Sequence, residues 1–184
     1  VQPELGGRAK AMLVTSSRAA AVKYARAFDK LAGERGMPVR ALVAFSGEVP
    51  DPDVTPLPGV TVKSVTEASM NPSLKGRDLA DVFAQPDHHV LIVANKYQTG
   101  FDQPLLVAMY VDKQLSGISA VQTLSRLNRT APGKENTYVI DFVNDPNEIL
   151  AAFQVYYEEA ELTEPSDPNI IHDMLTKLRS MSII

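Results

Sequence analysis

The sequence contains no cysteine, which excludes disulfide bonds, thiolate metal sites and a cysteine nucleophile. It also contains no apolar run that approaches the roughly 20 residues needed to span a bilayer. The 184 residues, 45% hydrophobic and 22% charged, have the composition of a soluble globular protein. A chain of this length can form one domain with a full core and a small appendage. The missing cysteines fit a reducing, intracellular compartment.

Charges of both signs are present, but they are unevenly distributed. Residues 141–173 hold nine of the 22 acidic residues and no Lys or Arg, so the rest of the chain carries a net charge of +5. The low overall pI therefore hides a mildly basic body. Such a body is compatible with nucleic-acid binding, although it is not diagnostic of it.

Short apolar runs alternate with helical patterns along most of the chain. The strand candidates are residues 11–14, 39–45, 60–65, 89–94, 105–111 and 136–142. Several of them are apolar throughout, which is typical of strands buried on both faces of a parallel sheet. Helices are predicted over residues 17–36, 73–85 and 116–129. The alternation predicts an α/β fold with an open, doubly wound, mainly parallel sheet and helices on both faces.

Two further segments complete the predicted organisation. Proline-rich residues 47–59 are expected to form a surface loop. After residue 142 the pattern is helical only, with predicted helices at 146–162 and 169–181. We therefore expect a main domain over residues 1–145 and a C-terminal helical segment over residues 146–184. No metal site is predicted, because His88, His89 and His172 have no partners at metal-ligand spacing.

The loop after the strand candidate 89–94 is a candidate site, since ligands of open α/β sheets bind beyond the carboxyl ends of the strands. This loop contains Lys96, Thr99, Gly100 and Asp102. A glycine there permits a tight turn or the close approach of a phosphate. A G-x-D loop is also common for purely structural reasons, so the loop alone decides nothing.

Two arginines follow in the sequence QTLSRLNRT. Gln122, Arg126 and Arg129, at spacings of 4 and 3, fall on one face of the predicted helix. Two cations three residues apart on a helix repel each other unless an anion lies between them. Guanidinium groups reaching over the ligand edge of the sheet would suit a polyphosphate, which each can bind bidentately. The alternative is that the arginines pair with local acids such as Asp102 or Asp112.

These stretches carry a family resemblance. VLIVANKYQTGFDQPLL followed by QTLSRLNRT resembles the fifth and sixth motifs of superfamily 2 helicases and translocases. The residues of these motifs are most similar to those of the restriction (R) subunit of type I restriction–modification enzymes. KAMLVTSSRAAAVKYARAF looks like the fourth motif, a strand followed by a hydroxyl-rich turn and a helix. Ser125 and Asn128 stand where many superfamily members have glycine, which weighs against a generic RNA helicase.

The resemblance implies a RecA-like domain, the second of two that hold ATP in the cleft between them. In that family the first domain carries the Walker A loop and the Mg²⁺-binding acids. Neither G-x-x-x-x-G-K-[ST] nor D-E-x-[HD] occurs in this sequence, which begins at Val1 without methionine. We therefore expect a fragment of a longer chain, with ATP and Mg²⁺ bound mainly by the missing first domain. The fragment alone is expected to be inactive.

The resemblance also assigns roles to individual residues. Arg129 is expected to act as an arginine finger on the γ-phosphate, and Arg126 to bind or support that phosphate. Gly100, Asp102 and Gln122 are expected to line the ATP cleft. The Asp102 carboxylate would accept a hydrogen bond from a ribose hydroxyl or hold an arginine in place.

DNA phosphates are expected at the loops that follow the strands, where contacts position a backbone without reading its sequence. The expected contacts are Thr15, Ser16, Arg18, Asn95, Lys96 and Thr99. Capping of the following helix is an alternative role for the hydroxyls of residues 15–17, and it is compatible with phosphate binding.

The expected function is ATP-dependent translocation on double-stranded DNA within a type I restriction endonuclease. The expected partners are double-stranded DNA, the first RecA-like domain of the same chain, and the methyltransferase and specificity subunits. The expected location is the cytoplasm of a bacterium or an archaeon, with no membrane contact. Two alternatives remain: another superfamily 2 helicase acting on DNA or RNA, and an α/β nucleotide-binding or interaction module without a motor role. The arginine pair favours a motor, because a plain binding module has no need for both.

Overall fold

The computed structural model describes residues 4–54, 63–97 and 100–163, with side chains from residue 5 to residue 157. The strands are β1 (Lys10–Thr15), β2 (Ala41–Ala44), β3 (Glu48–Pro50), β4 (Ser64–Thr66), β5 (Val90–Val93), β6 (Leu106–Asp112) and β7 (Tyr138–Asp141). The α-helices are α1 (Arg18–Glu34), α2 (Glu67–Met70), α3 (Leu79–Ala84), α4 (Gly117–Leu124) and α5 (Pro146–Thr163). Short 3₁₀ helices cover Glu4–Gly7, Pro72–Leu74 and Ser125–Asn128.

Five strands form one parallel sheet in the order β2-β5-β1-β6-β7. The central strand is β1, which pairs with β5 on one side and with β6 on the other. Parallel strands place their carboxyl ends at one edge of the sheet, and we call this the carboxyl edge. The predicted α/β architecture with a mainly parallel sheet is confirmed.

The two faces of the sheet are both buried under helices. Alternate residues of β1 show this, since Met12 and Val14 join one core cluster and Leu13 packs against the other. Helix α1 covers the second face. Helices α3, α4 and α5 cover the first face, to which they contribute the buried side chains Leu79, Val82, Phe83, Ala120, Val121, Leu124 and Phe153.

The helix predicted over residues 73–85 is much shorter than expected. Lys75 and Gly76 both adopt left-handed backbone conformations, with φ of 50° and 80°. Successive left-handed residues cannot continue a right-handed helix. Helix α3 therefore starts only after Asp78, whose carboxylate accepts hydrogen bonds from the backbone N–H groups of residues 80 and 81.

The helix predicted over residues 116–129 also ends early. Helix α4 stops at Leu124, a 3₁₀ turn follows, and Arg129 is extended with φ −69° and ψ 130°. Arg129 is therefore outside the helix. The expectation that Gln122, Arg126 and Arg129 share one helical face is wrong for Arg129.

The region after β2 contains structure that the sequence reading missed. Residues 48–50, expected to be loop, form β3, which pairs antiparallel with β4. The strand predicted at 60–65 is therefore seen only at its end and outside the main sheet, while residues 55–62 lie outside the description. Arg26 of α1 holds this hairpin by a two-pronged contact with Asp51, at 2.6 and 2.9 Å, and by a contact with Asp53.

The C-terminal region continues the main core. Phe153 of α5 is 3% exposed and belongs to the same buried cluster as Val121 and Leu124 of α4. The core thus extends past the predicted domain boundary at residues 145/146, which stays a prediction. The helix predicted at 169–181 lies outside the described residues. Among the described helices, none combines the length and the apolarity that crossing a bilayer requires.

Candidate functional site

The connection from β5 to β6, residues 94–105, carries the predicted G-x-D loop. It passes over β1 to reach β6, which lies parallel to β5 on the other side of β1, and its described residues form no helix. Phe101 anchors it, being 4% exposed, with its ring 5.0 Å from that of Tyr97 and 6.1 Å from that of Phe83. Gly100 is left-handed with φ 67°, and the space around it is open. The buried phenylalanine thus places Asp102 at the surface.

Asp102 pairs with Arg129. Arg129 Nε lies 3.1 Å from Asp102 Oδ1, and the two side chains are 52% and 70% exposed. This is the pairing with a local acid that the alternative interpretation describes. Pairs as exposed as this contribute little to stability, about 0–1 kcal/mol. Both groups are therefore available for exchange with a ligand.

Arg126 is held more firmly than Arg129. It is half-buried, and its Nη1 donates to the carbonyl of Phe101 at 3.0 Å. Burial, together with the positive charge of Arg129, lowers the pKa of Arg126 from its ordinary value, and Asp102 opposes this change. The two arginines and Asp102 form one electrostatic group, which we call the arginine surface.

The arginine surface lies beside the start of β6. Lys134 shows this, because its ammonium donates to the carbonyls of Pro104, Leu127 and Arg129 at 3.1, 2.7 and 2.6 Å. Pro104 comes just before β6 begins. The sequence reading expected the arginines over the carboxyl edge of the sheet, and this was wrong. After β6 ends, α4 turns back along the sheet and returns the chain toward the amino ends of the strands.

Gln122, the remaining residue predicted for the ATP cleft, lies on α4 with an exposed side chain. Its backbone carbonyl accepts a hydrogen bond from the Ser125 hydroxyl at 3.3 Å.

The carboxyl edge holds the described residues that were predicted to contact DNA, but Thr15 is not accessible there. It is fully buried, and its hydroxyl oxygen lies 2.9 Å from the carbonyl oxygen of Val93 and 3.1 Å from that of Ser17, so its one proton is used within the fold. The hydroxyl is used to tie β1 to β5, so we leave Thr15 out of the proposed DNA surface. Ser16 is exposed, and Ser17 caps α1 by accepting from the N–H of Ala20 at 3.1 Å.

Arg18 and Lys96 reach this edge with partners of their own. Arg18 is exposed and donates to the carbonyl of Ser46 at 3.2 Å. The Lys96 ammonium lies 2.8 Å from a carboxylate oxygen of Glu67, which also accepts from the backbone N–H of Phe45 at 3.0 Å. The charge of Lys96 is thus largely balanced. Thr99 lies outside the described residues.

Sequence reasoning missed Lys113 at the same edge. Its ammonium donates to Asn95 Oδ1 at 2.6 Å, and Asn95 is left-handed with φ 62°. Burial lowers the pKa of Lys113. Its position as the first residue after a strand was a usable signal. The strand order, which brings it to Asn95, was not visible in the sequence.

A polar frame fixes the strand ends around Lys113. Its carbonyl accepts from Asn144 Nδ2 at 2.8 Å, and Asn144 Oδ1 accepts from the N–H of Leu115 at 2.7 Å. Tyr24 donates to Asp112 at 2.8 Å, and this hydrogen bond raises the pKa of the phenol. Asp112 therefore pairs with Tyr24 of α1 rather than with an arginine.

A cavity of about 390 Å³ lies elsewhere, between the end of α1 and the Pro72–Leu74 turn. It is lined by residues that include Asp29, Arg40 and His88. His88 is 7% exposed, and its Nδ1 has no hydrogen-bond partner in the part of the chain that the structure describes. None of the described residues that were predicted to contact ATP or DNA lines this cavity. Within the described ranges, no group of three or more His, Asp or Glu side chains could hold a metal ion.

Comparison with known proteins shows which family this sequence resembles. Residues 74–144 match the family model described as type I restriction enzyme subunit R domain 3. This stretch contains the crossover, both arginines and Lys113. Residues 74–144 are thus similar to a domain of the type I restriction enzyme R subunit. The family that the motifs predicted is thereby confirmed, and the five-stranded parallel sheet agrees with a RecA-like fold for this R-subunit domain.

Curated relatives point to the same family. The chain is 27% identical over 164 residues to the "Putative type I restriction enzyme MjaIXP endonuclease subunit" of Methanocaldococcus jannaschii, covering 88% of this chain and 14% of the relative. It is 38% identical over 85 residues to the similarly named MjaVIIP subunit of that organism, covering 45% of this chain and 8% of the relative. It is 36% identical over 70 residues to the "Type I restriction enzyme HindI endonuclease subunit" of Haemophilus influenzae, covering 36% of this chain and 7% of the relative. The chain thus spans only a small part of these relatives' lengths.

Proposed function

We propose that this R-subunit domain is the second motor domain of an ATP-dependent double-stranded DNA translocase within a type I restriction enzyme. The observation that carries the proposal is the exposed Arg129–Asp102 pair with Arg126 anchored beside it. The chain spans at most 14% of the length of the relatives, as one domain of a much larger enzyme would. ATP and Mg²⁺ would be bound mainly by a different domain.

The arginine surface supports a role in phosphoryl transfer because its two arginines are held differently. Arg129 is exposed and has an exchangeable partner, so it can leave Asp102 for a phosphate oxygen at low cost. Arg126 is held by the Phe101 carbonyl and provides a fixed positive charge beside it. An arginine delivered across a cleft to the γ-phosphate contributes on the order of 10³–10⁵ in rate.

Asp102, Gly100 and Gln122 would complete the nucleotide side of the cleft. Asp102 holds Arg129 in place when no phosphate is bound, which also offsets the repulsion between the two guanidinium groups. The open space around Gly100 and the exposed side chain of Gln122 leave room for a nucleotide to approach. In this proposal, closing and opening of the cleft with each hydrolysis moves the motor along DNA.

The carboxyl edge would carry the DNA backbone. Ser16, Arg18 and Asn95 are exposed there, and contacts of such groups with phosphates position DNA without reading its sequence. Recognition of a target sequence would then fall to a specificity subunit, and modification to a methyltransferase subunit. The competing proposal is a nucleotide-binding or interaction module in which the Arg129–Asp102 pair is structural.

Triplex displacement by the enzyme that contains this domain tests the proposal. A third strand is annealed at increasing distances from the recognition site, and ATP starts the reaction. A translocase displaces the strand after a lag that grows linearly with distance, and it hydrolyses ATP faster when duplex DNA is present. If the lag did not depend on distance and DNA did not change the rate of ATP hydrolysis, the motor proposal would be rejected. The interaction module would then be the remaining proposal.

A further inference from the structure

Lys134 brings three backbone carbonyls together. Its Nζ lies 3.1 Å from the carbonyl oxygen of Pro104, 2.7 Å from that of Leu127 and 2.6 Å from that of Arg129. An ammonium group has three N–H donors, so it can serve three acceptors at once. Pro104 lies at the end of the crossover between β5 and β6, whereas Leu127 and Arg129 belong to the segment after α4. One side chain therefore ties these two segments to each other.

The sequence explains how Lys134 reaches back to Arg129. Pro132 and Gly133 occupy the two central positions of a turn that the N–H of Lys134 closes by donating to the carbonyl of Ala131 at 3.0 Å. Gly133 has φ 81°, the value expected at the third residue of a type II turn, where glycine is preferred. Proline presets the backbone of the second residue. The turn reverses the chain and returns the Lys134 side chain to the end of the 3₁₀ turn that precedes Arg129.

The contact with Lys134 fixes the backbone of Arg129 but leaves its side chain accessible. The carbonyl is held at 2.6 Å in an extended residue with φ −69° and ψ 130°, whereas the side chain is 52% exposed. Asp102, which pairs with that side chain, lies two residues before Pro104 on the tied crossover. The same ammonium thus holds the chain on both sides of the Arg129–Asp102 pair.

A fixed backbone matters for an arginine that has to meet a phosphate. Misplacement of a reacting group by about 1 Å can cost about a hundredfold in rate, even when the change lies away from the chemistry. An exposed ion pair such as Arg129–Asp102 is too weak to hold the segment by itself. Hydrogen bonds from an ammonium group are stronger than those between neutral groups, so Lys134 is the better anchor.

We propose that Lys134 is a positioning residue for Arg129, because its ammonium holds the backbone from which the arginine reaches the γ-phosphate of ATP. This inference rests on the proposed function, since it needs Arg129 to act on that phosphate. Lys134 acts through the backbone of Arg129 and does not bind the nucleotide itself. Its loss therefore misdirects Arg129 in the transition state and leaves the binding of ATP and of DNA largely unchanged.

The test compares kcat and KM for ATP in the DNA-stimulated reaction of the full enzyme. Lys134→Met keeps an unbranched side chain but removes the ammonium. We expect kcat to fall about 10- to 100-fold, with KM for ATP and the half-saturating DNA concentration within about twofold of wild type. Lys134→Arg, which retains a positive donor, is expected to show a smaller loss. Lys30→Met is the matched control, because it removes the ammonium of a 77% exposed side chain on α1 and should leave kcat within about twofold of wild type.

A double-mutant cycle separates positioning from a general effect on the fold. Lys134→Met is expected to lower kcat by less than about twofold when Arg129 is already alanine, because residues that act as one unit have non-additive effects. A lysine that only stabilised the domain would lower kcat by the same factor in both backgrounds. If Lys134→Met did not fold, the cycle would be run with Lys134→Arg, whose smaller loss must likewise disappear in the Arg129→Ala background.

The outcomes distinguish the failure of this inference from the failure of the proposed function. If Arg129→Ala lowered kcat and Lys134→Met did not, or lowered it equally in both backgrounds, the positioning role would be overturned and the motor proposal would stand. A weaker apparent DNA affinity with an unchanged kcat would also overturn it, since Lys134 would then serve the DNA. If Arg129→Ala left kcat unchanged, the proposed function and this inference would both fail.

Discussion

Arg129 Nε lies 3.1 Å from Asp102 Oδ1, and this contact joins the segment after α4 to the crossover between β5 and β6. Both side chains are more than half exposed. Arg126, three residues earlier, is half-buried and bonded to the Phe101 carbonyl on the same crossover. Two arginines that look equivalent in the sequence therefore have different physical roles, one holding the fold and one free to exchange its partner.

Unfolding experiments are expected to separate the two arginines. Arg126→Gln removes a charged donor from a half-buried carbonyl and is expected to lower the free energy of unfolding by about 1–2 kcal/mol. Arg129→Gln breaks an exposed pair and is expected to cost less than about 1 kcal/mol. Urea denaturation followed by circular dichroism measures both. Equal losses would show that Arg129 is as structural as Arg126.

Two glycine-to-alanine substitutions are expected to act in opposite directions. Gly100 has φ 67°, so an alanine there is strained even though the space is open, and we expect a loss of about 1 kcal/mol. Gly33 lies inside α1 with open space around it, so an alanine there is expected to stabilise the fold by about 0.5–1 kcal/mol. Thermal melting compares them directly. A stabilising Gly100→Ala would mean that the crossover does not need a left-handed residue at that position.

The hairpin contact of Arg26 makes a prediction about Asp51. The hydrogen bonds from Arg26 lower the pKa of the Asp51 carboxyl to about 2. Because the folded-state pKa is the lower one, the contribution to stability is present above the ordinary aspartate pKa and is lost as the pH falls toward 2. Arg26→Gln is expected to return the Asp51 pKa toward its ordinary value, and NMR titration of the carboxyl carbon measures it. Arg35→Gln, at the end of the same helix, is the control and should leave the pKa of Asp51 low. If the pKa of Asp51 were the same in Arg26→Gln as in the wild type, the contact would not form in solution.

Lys10 makes a prediction at alkaline pH. It is 2% exposed, its ammonium donates to the carbonyls of Gln85 and His88 at 2.9 and 2.7 Å, and burial lowers its pKa to about 8. Between pH 8 and the ordinary lysine pKa the unfolded chain holds a proton that the folded chain has released. The contribution of Lys10 to the free energy of unfolding therefore rises with pH over this window, by about 1–3 kcal/mol. The comparison is wild type against Lys10→Met across that window. A difference between them that stays constant with pH would contradict the lowered pKa.

The strands of the sheet and its parallel character were predictable, because runs such as 89–94 and 105–111 are apolar on both faces. Element ends were less predictable. Nothing local marks Lys75 as left-handed, so the break before α3 was hidden, and α4 changes to a 3₁₀ turn inside a continuous helical pattern. Leu74 and Leu127, which lie in the 3₁₀ turns at these two places, are both buried in the core.

The candidate site was predictable where the motif is local and unpredictable where it depends on strand order. Asp102 beside Arg129 follows from two motifs that a sequence can show. Lys113 beside Asn95 requires knowing that β5 and β6 flank β1, which only the fold reveals. The burial of the Thr15 hydroxyl is of the same kind, since it depends on the neighbouring carbonyl of Val93.

The central claim is that Arg129 acts on the phosphate in the transition state of ATP hydrolysis. Its most direct test is kcat and KM for ATP in the DNA-stimulated reaction of the full enzyme, comparing wild type with Arg129→Ala and with Arg35→Ala as a control. We expect kcat to fall about a hundredfold or more for Arg129→Ala, with nucleotide binding and the melting temperature largely kept and the control near wild type. An unchanged kcat would mean that the Arg129–Asp102 pair serves only the fold, and it would contradict the proposed function.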